Sequence, residues 1–469
     1  MKLTRILCGL ALPALLAGCA GLAPEQNLAD LQQLTQGRTA GTEVTLQRKS
    51  PEAEAQVAEL LKTPLTAEAA VRVALLNNPA LHAALAQLDI SDAQRVQAAR
   101  LTNPHFSVAE FAENDKREIE RVLRFDVAGL LFLPWRSQWQ GRQHELAKLQ
   151  AAQEVLRLAS ETRKAWIRAV AAQQSARYLE QAKEAAEAGA ELARRMARVG
   201  NWSKLQQARE QLLLADAAGQ LTRARQTAVS TREQLTRLLG LWGAQTQYTL
   251  PERLPELPTQ AAELRDAEAR ALRERLDVRA AVAESGFVAE SLGMVKAQGY
   301  VDGLSLGYKH ASTVNGAGER DQKHGWELEL PLPLFDWGTA RNARAEAVHR
   351  QSLERVRDTA IRARSEAREA WHGWRTAHDL ARHQRDEVVP LRKFISEEVL
   401  LRYNGMLASV WELLADMRAQ IAGVNSAIEA QRDFWLIDAD LQLTLTGTSP
   451  GTLAGLSSAS AAASESKGH

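Results

Sequence analysis

Residues 323–347 read KHGWELELPLPLFDWGTARNARAEA, and this stretch passes from a strand pattern into a helix pattern. Trp326, Leu328 and Leu330 alternate with glycine or glutamate, which predicts a strand with one apolar and one polar side. Two prolines follow, and the chain then enters a long run of helix-forming residues. The stretch therefore predicts a strand that leads directly into a long helix.

Long segments without proline predict helices of unusual length. Proline is absent from 135–250, from 336–389 and from 391–449. An interior proline costs a helix about 3 kcal/mol, so these gaps permit uninterrupted helices. Apolar residues recur in them at heptad-like spacing. A helix over about 135–199 would extend on the order of 95 Å, which is expected of a bundle or tube rather than of a compact domain.

Similar segments recur in the two halves of the chain and indicate a duplicated unit. TNPHFSVAEF precedes the first helix pair, and VDGLSLGYKHA precedes the second. LLFLPWRSQW matches PLPLFDWGTA, and ARVGNWSKL matches LRYNGMLASV. The last match places Gly200 opposite Gly405, an offset of 205 residues. A repeat of this length suggests duplication of a strand hairpin plus a long helical hairpin rather than a solenoid.

The strands of both halves have an apolar side that we expect to contact lipid. The predicted strands lie in about 102–133 and about 300–333, and the predicted long helices in about 135–240 and about 338–445. The predicted lipid-facing side chains are Leu123, Phe125, Leu304, Leu306, Trp326, Leu328 and Leu330. The alternate positions would face a water-filled lumen. The alternative is a pair of soluble hairpins packed on helices.

Lipid contact would require several copies of the chain. Open sheet edges do not occur in lipid, and closure needs at least about eight strands. Four strands per chain in three copies would give a 12-stranded barrel. Trp135, Trp139, Phe335 and Trp337 lie where strands lead into helices, as an interfacial aromatic belt would require.

Composition excludes two classes of protein. The chain has 58 Lys+Arg against 57 Asp+Glu, a formal net charge of +1, which argues against nucleic acid as a partner. The mean hydropathy is −0.30, and no 20-residue apolar run occurs outside the N-terminus, so a bundle of membrane-spanning helices is excluded.

The N-terminus predicts export and lipidation. Lys2 and Arg5 precede a short apolar stretch that ends in Leu-Ala-Gly-Cys, which predicts a signal peptide over 1–18. This ending resembles the lipobox of bacterial lipoproteins, and the resemblance implies acylation of Cys19. Ala20 resembles the residue found in cargo sorted to the outer membrane. The alternative is an ordinary signal peptide with an unrelated cysteine.

The mature chain resembles the outer-membrane efflux proteins, the TolC-type channels, over essentially its whole length. The resemblance rests on the duplicated organisation and on LTAEAAVRVALLNNPALHAA, PLPLFDWGTARNARAEA and RYNGMLASVWELLAD. It implies a homotrimer with a 12-stranded β-barrel in the outer membrane, continuous with a long periplasmic α-helical barrel. The lipobox resembles the branch that serves resistance-nodulation-division pumps. NNPALHAA and AARLTNPHFSVAEF resemble members associated with heavy-metal efflux.

The resemblance implies a passive channel rather than an enzyme. Its expected partners are a periplasmic adaptor (membrane fusion) protein, an inner-membrane pump and outer-membrane lipid. One alternative is a type I secretion exit duct for polypeptides, and another is a lipid-anchored periplasmic coiled-coil scaffold without a pore. The sequence predicts no catalytic residue, metal site or cofactor. His372, His378 and His383 are too widely spaced for one zinc centre, so we interpret them as solvated or packing residues.

The resemblance also implies roles for residues at two helix turns. The turn residues expected to contact the adaptor are Arg198, Gly200, Trp202, Ser203, Arg402, Gly405, Leu407 and Ser409. In both turns a glycine is expected to supply the positive φ that ends a helix. Family members with an acidic constriction have carboxylates six and nine residues after the second glycine, where this chain has Trp411 and Leu414. Trp411, with Glu412 and Asp416 nearby, is therefore a candidate gate.

The predicted organisation has five parts. They are the signal peptide 1–18, an extended lipidated segment 19–64, a first repeat 65–258, a second repeat 259–447 and a disordered Ala/Ser-rich tail 448–469.

Overall fold

The structure is a computed structural model that describes residues 21–39, 41–114, 116–258, 266–301, 303–315, 317–330, 335 and 337–456. The side chains of 294–301 and 411 are not described. The predicted signal peptide, Cys19 and the end of the predicted tail lie outside the described residues.

The described chain is mainly helical, with one four-stranded sheet. The helices are α1 (Pro24–Thr35), α2 (Pro51–Leu60), α3 (Ala67–Asn77), α4 (Pro79–Ala98), α5 (Val127–Leu131), α6 (Leu133–Arg198), α7 (Lys204–Leu239), α8 (Ala267–Glu274), α9 (Leu276–Val301), α10 (Thr339–His383), α11 (Val389–Asn404) and α12 (Val410–Thr446). The strands are β1 (His105–Glu113), β2 (Lys116–Asp126), β3 (Ser305–Val314) and β4 (Arg320–Glu329). A 3₁₀ turn covers Gly243–Thr246, and a π-helical turn covers Gln384–Val388.

The fold predicted from the sequence is confirmed: a strand hairpin followed by a long helical hairpin occurs twice. Helix α6 runs without interruption for 66 residues, and α7 returns over 36 residues. In the second copy, α10 passes through the π-helical turn into α11, and α12 returns over 37 residues. Proline is absent from α6 after its second residue, so no interior hydrogen bond of the long helix is lost.

The two hairpins form one antiparallel sheet in the order β1-β2-β3-β4. The hairpins join through β2 and β3, where Leu123 pairs with Tyr308 and Phe125 with Leu306. Leu304 lies just before β3 and accepts hydrogen bonds from the backbone N–H groups of Val127 and Ala128. The strand range predicted from the sequence continues to about residue 133, but a helix, α5, begins at Val127. Asp126 caps this helix, because its carboxylate accepts a hydrogen bond from the Gly129 N–H at 2.7 Å.

The prediction of an extended segment over 19–64 is wrong at 24–35 and at 51–60, because α1 and α2 occupy these residues. Helix α2 has a strong start: Ser50 accepts a hydrogen bond from the Ala53 N–H, and Pro51 occupies the first turn. Leu31 and Val57 are buried. Burial of such side chains, about 1.5–3 kcal/mol each, favours helices that can present them to a core.

The chain divides into two compact units. The first comprises Met1–Leu31, Leu85–Ala151 and Arg279–Thr359, and the second comprises Gln32–Ala84, Ala152–Val278 and Ala360–His469. Each unit therefore takes residues from both predicted repeats. Within the described residues, no helix combines the length and the apolarity needed to cross a bilayer.

The first unit contains the sheet and a buried polar cluster that fastens α1. The Asp92 carboxylate accepts a hydrogen bond from the Ala23 N–H at 3.0 Å and pairs with Arg95 at 2.7 Å. His144 Nε2 lies 3.0 Å from the Asn27 side-chain oxygen. Burial lowers the pKa of His144, so its neutral form is favoured in this cluster.

The second unit has an alanine-lined aromatic core between α10 and α12. Phe434 is fully buried against Trp374, with ring centroids 5.8 Å apart. The Trp374 N–H donates to Asp438 at 2.8 Å. Fully buried Arg275 binds Asp277 through two hydrogen bonds and Glu366 through a third, so its charge is fully compensated.

Candidate functional site: two faces of the sheet and two helix turns

One face of the sheet carries the predicted apolar side chains, and we call it the apolar face. Directly paired residues lie on the same face, so the register defines its rows. One row consists of Phe106, Leu123, Tyr308 and Trp326, and the next consists of Phe125, Leu306 and Leu328. The Tyr308 and Trp326 rings meet edge to face at 5.2 Å.

The apolar face is uncovered in the first unit. Trp326 is 72% exposed and Leu328 is 68% exposed. Leu330 follows the end of β4 and is also exposed. Burial of such side chains is worth about 1.5–3 kcal/mol each, so an open row of them indicates a surface that a partner or a lipid covers.

The opposite face, which we call the charged face, carries ion pairs between strands. Arg124 lies 3.6 Å from Glu327 and 3.8 Å from Glu329. Lys309 on β3 pairs with Glu120 on β2 at 2.7 Å. Exposed pairs of this kind contribute little stability, but moving their charges out of water would be costly.

Of the four aromatic residues predicted for an interfacial belt, three are exposed and one is packed against another ring. Trp135 and Trp337 are exposed, and the Phe335 side chain is 99% exposed. Trp139 differs, because it packs on Phe287 with ring centroids 3.8 Å apart.

The turn between α6 and α7 ends its helix at Gly200. The Gly200 N–H donates to Ala197 O at 3.2 Å, and the Asn201 N–H donates to Met196 O at 3.0 Å. These two bonds define a Schellman motif, whose left-handed position is filled by Gly200 at φ +79°. Ser203 then starts α7 with a complete capping box formed with Gln206.

The turn between α11 and α12 has the same hydrogen bonds in a different sequence register. The Met406 N–H donates to Tyr403 O at 3.0 Å, and the Leu407 N–H donates to Arg402 O at 2.7 Å. The left-handed residue is therefore Met406, at φ +61°. The prediction that Gly405 supplies the positive φ is wrong, because Gly405 has φ −82° and still belongs to the end of the helix.

The structural equivalence of the two turns has an offset of 206 residues, so the sequence-based offset of 205 is wrong at this point. Gly200 corresponds to Met406, and Ser203 corresponds to Ser409 as the cap of the following helix. Both turns leave apolar side chains at the surface: Val199 is 69% exposed and Met406 is 94% exposed. The sequence reasoning missed Met406 because glycine is the residue expected at positive φ.

The remaining predicted turn residues lie at or beside these turns. Arg198 is the last residue of α6, and its guanidinium lies 4.0 Å from the Glu191 carboxylate. Arg402 accepts, through its backbone oxygen, the bond that closes the second turn. Leu407 is exposed, and Trp202 is half-buried in the first turn.

The same offset of 206 makes Glu210 the equivalent of Asp416. Each carboxylate is buried and has one oxygen without a hydrogen-bond partner among the described residues. Glu210 lies 3.4 Å from Arg418, and burial raises the pKa of its carboxyl group. The signal for this pair was Ser203-x-x-Gln206-x-x-x-Glu210 against Ser409-x-x-Glu412-x-x-x-Asp416, which the sequence reasoning missed.

The three candidate gate residues have different environments. Glu412 is exposed in the first turn of α12, where its N–H donates to the Ser409 hydroxyl at 3.2 Å. Asp416 is 8% exposed. The Trp411 backbone belongs to α12, but its side chain is not described.

The three histidines of α10 do not form one site. His378 is buried between Trp374 and Phe434, and its Nε2 lies 3.2 Å from Pro258 O. His383 is exposed beside Glu387 at 3.1 Å. In the part of the chain that the structure describes, no three His, Cys, Asp or Glu residues are grouped as metal ligands would be.

Comparison with known proteins identifies solved structures that have a similar fold. No protein-family model matches the sequence, and no curated protein matches it. The solved structure of the Campylobacter jejuni CmeC outer-membrane channel is similar, with 15% identity, a TM-score of 0.66 and coverage of 90% of this chain and 93% of that one. The open state of the Neisseria gonorrhoeae MtrE outer-membrane channel has 16% identity and a TM-score of 0.63, and the match covers 83% of this chain and 90% of that one.

A third solved structure, the outer-membrane protein VceC from Vibrio cholerae, has 16% identity and a TM-score of 0.66 over 81% of this chain and 96% of that one. The chain therefore has the fold of outer-membrane channel proteins. More particularly, this is the TolC-type channel fold predicted from the sequence.

Proposed function

We propose that this chain is one subunit of a homotrimeric channel in the bacterial outer membrane. The single observation that carries the proposal is the open apolar face of the sheet, opposite a face of interstrand ion pairs. Three copies supply 12 strands, which closes both sheet edges. Lipid then covers Trp326 and Leu328, and the lumen contains Glu327 and Lys309.

The channel conducts passively, and an energised pump supplies the cargo. The proposed system is tripartite, with an inner-membrane pump of the resistance-nodulation-division type and a periplasmic adaptor. The structural neighbours are channels rather than enzymes, which supports a transport role without chemistry in this chain. We propose acylation of Cys19 and heavy-metal cations as cargo on the resemblances described above.

The adaptor contacts the two helix turns. Val199 and Met406 place apolar side chains at the ends of their hairpins, and Leu407 is 82% exposed beside Met406. Ser203 and Ser409 hold the two turns in the same geometry. Two matched ends per chain give six docking positions in the proposed trimer.

A pair of substitutions on neighbouring strand positions tests the membrane assignment. Arginine on the lipid side of a barrel costs about 2–4 kcal/mol at the bilayer midplane, whereas lumen positions tolerate it. Leu328→Arg should therefore abolish heat-modifiable trimers and planar-bilayer conductance. Glu327→Arg, one residue away on the charged face, is the matched control and should keep both. Equal tolerance of the two variants would contradict the assignment.

These two measurements, together with deletion of the gene, separate the alternatives. A periplasmic scaffold without a pore gives neither a heat-modifiable trimer nor conductance in planar bilayers. A secretion duct conducts but leaves metal resistance unchanged when its gene is deleted. Sensitivity of the deletion strain to copper, zinc and cobalt, with rescue by the wild-type gene, supports metal efflux.

We propose that Trp411 narrows the periplasmic end of the closed channel. It occupies a position where family members with an acidic constriction carry a carboxylate. Trp411→Ala should then increase closed-state conductance, with Trp242→Ala as the control, since Trp242 lies in a loop after α7. Unchanged conductance of the Trp411 variant would count against the gate.

A further inference from the structure

The apolar face of the sheet changes character toward its hairpin turns. Beyond the row of Tyr308 and Trp326, the next row on the same face contains Arg121, His310 and His324. Successive rows on one face are two residues apart, or about 6.7 Å along the strand. Basic and imidazole side chains therefore begin immediately where the aromatic row ends.

A second basic row lies at the turn end of the sheet. Arg117 pairs with Val314 across β2 and β3, and Val314 pairs with Arg320 across β3 and β4. Arg117 forms an ion pair with Glu110, which is the single acidic residue of β1–β4 on this face. Three arginines against one glutamate leave a surplus of positive charge.

The charge of the opposite face has the other sign. The charged face has seven acidic residues against four basic ones within the strands. The acidic residues are Glu113, Glu118, Glu120, Asp126, Asp321, Glu327 and Glu329, and the basic ones are Lys116, Arg124, Lys309 and Lys323. The surplus of positive charge is therefore confined to the apolar face, and on that face it lies toward the hairpin turns.

An arginine on the lipid side of a barrel is costly at the bilayer midplane but costs only about 0–1 kcal/mol near the interface. The Tyr308–Trp326 row is the aromatic type of row that marks an interface. Arg121 and Arg320 are exposed. Beyond an interfacial aromatic row, exposed guanidinium groups come within reach of lipid phosphates, and arginine binds a phosphate through two parallel hydrogen bonds.

We infer that Arg117, Arg121 and Arg320, with His310 and His324, form a basic band that binds phosphate groups of outer-leaflet lipid. The inference rests on the proposed function, which places the helices in the periplasm and hence the hairpin turns at the outer leaflet. The band would hold a phosphorylated glycolipid such as lipid A against the outer rim of the trimer.

The experiment uses the full-length trimer in phosphatidylethanolamine vesicles with or without lipid A. The test variant is Arg121→Gln with Arg320→Gln, and the control is Lys323→Gln, which removes a cation from β4 on the charged face. Lipid A should raise the temperature of trimer dissociation for the wild type and the control. The double variant should lose this increase and retain on the order of tenfold less lipid A in native mass spectra.

Three further arms keep the result decisive. Arg121→Lys with Arg320→Lys keeps the charge and should restore part of the binding. Dephosphorylated lipid A should give no increase, and inorganic phosphate alone should give none, which separates a lipid headgroup from a free anion. If the wild type conducts but binds lipid A no better than the double variant, the inference of a phosphate-binding band is overturned. If the wild type does not conduct in planar bilayers, the proposed channel function is overturned.

Discussion

The two helix turns solve one geometric problem with different residues. Both turns have five residues between their helices, and both use the same pair of Schellman hydrogen bonds. The first places glycine at the left-handed position, and the second places Met406 there. A non-glycine residue pays about 1–2 kcal/mol at such a φ. The hydrogen bonds thus define the turn, and the residue at its left-handed position is a separate choice.

The cost at the second turn has a visible consequence. Met406 is 94% exposed, so the strained residue makes no packing contribution within its own unit. Strain of this kind persists where the position serves a function. The comparison supports Met406 as the apolar contact that the proposed adaptor meets.

Among the predictions that compare the two turns, the largest expected effect is at the first turn. Gly200→Val should lower the free energy of local opening by about 1–2 kcal/mol, because a β-branched residue is disfavoured at φ +79°. Amide hydrogen exchange at Asn201 measures the opening. Gly405→Ala is the control and should leave exchange unchanged or slower, because φ is −82° and the nearest atom to the added Cβ would be 3.5 Å away.

The helix caps should show the next largest effect. Ser203→Ala and Ser409→Ala should each cost about 1 kcal/mol, because each removes a hydroxyl that accepts from the third residue of the helix. The Gln206 side chain also accepts from the Ser203 N–H at 2.7 Å, so Gln206→Ala should destabilise its turn further. Thermal denaturation of the variants checks the order, and a larger loss from Glu412→Ala than from Gln206→Ala would contradict it.

Met406→Gly should have the opposite sign and a smaller size. Relief of the left-handed strain should stabilise the second turn by about 0.5–1 kcal/mol. Adaptor binding should weaken at the same time, because the apolar side chain is lost. Hydrogen exchange measures the stability of the turn, and calorimetry measures the affinity for the adaptor, so the two effects can be separated. A loss of stability in the variant would contradict the claim that Met406 is strained.

The smallest effect concerns the equivalent carboxylates Glu210 and Asp416. Burial raises the pKa of Glu210, so the folded state holds its proton more tightly than the unfolded state. The stabilising contribution of the protonated group is therefore present below the ordinary glutamate range and is lost as pH rises through the raised pKa. Glu210→Gln should flatten this fall, and Arg418→Gln should steepen it. Denaturation at several pH values measures the stability of the wild type and of both variants. Parallel curves of stability against pH would contradict the link between protonation of Glu210 and stability.

Local patterns were sufficient to predict the strands and the long helices of the fold. Strict alternation around Trp326 predicted β4, and the absence of proline after Pro134 predicted the uninterrupted α6. The apolar and charged faces followed from the same alternation, because strand geometry fixes which residues share a face. These features depend on short-range periodicity, which a single sequence carries directly.

Other features depended on contacts that periodicity does not carry. The sequence comparison aligned Gly200 with Gly405 and so gave an offset of 205 residues. The backbone geometry instead makes Met406 the equivalent of Gly200. Heptad-like spacing of apolar residues does not show which polar residues of a long helix are buried, and Glu210 is buried. Helices α1 and α2 were missed because their apolar residues are few and tertiary packing supplies their stability.

The even number of strands per chain has a consequence for the assembly of the proposed trimer. In the sheet that the structure describes, β1 and β4 run in opposite directions, and each has one unpaired edge. The last strand of one copy therefore meets the first strand of the next in antiparallel orientation, whichever copy arrives first. An incomplete ring therefore has two unpaired strand edges, and only the addition of the last copy pairs both of them. In the proposed trimer, ring completion is consequently a cooperative step, and a subunit keeps two unpaired strand edges until that step occurs.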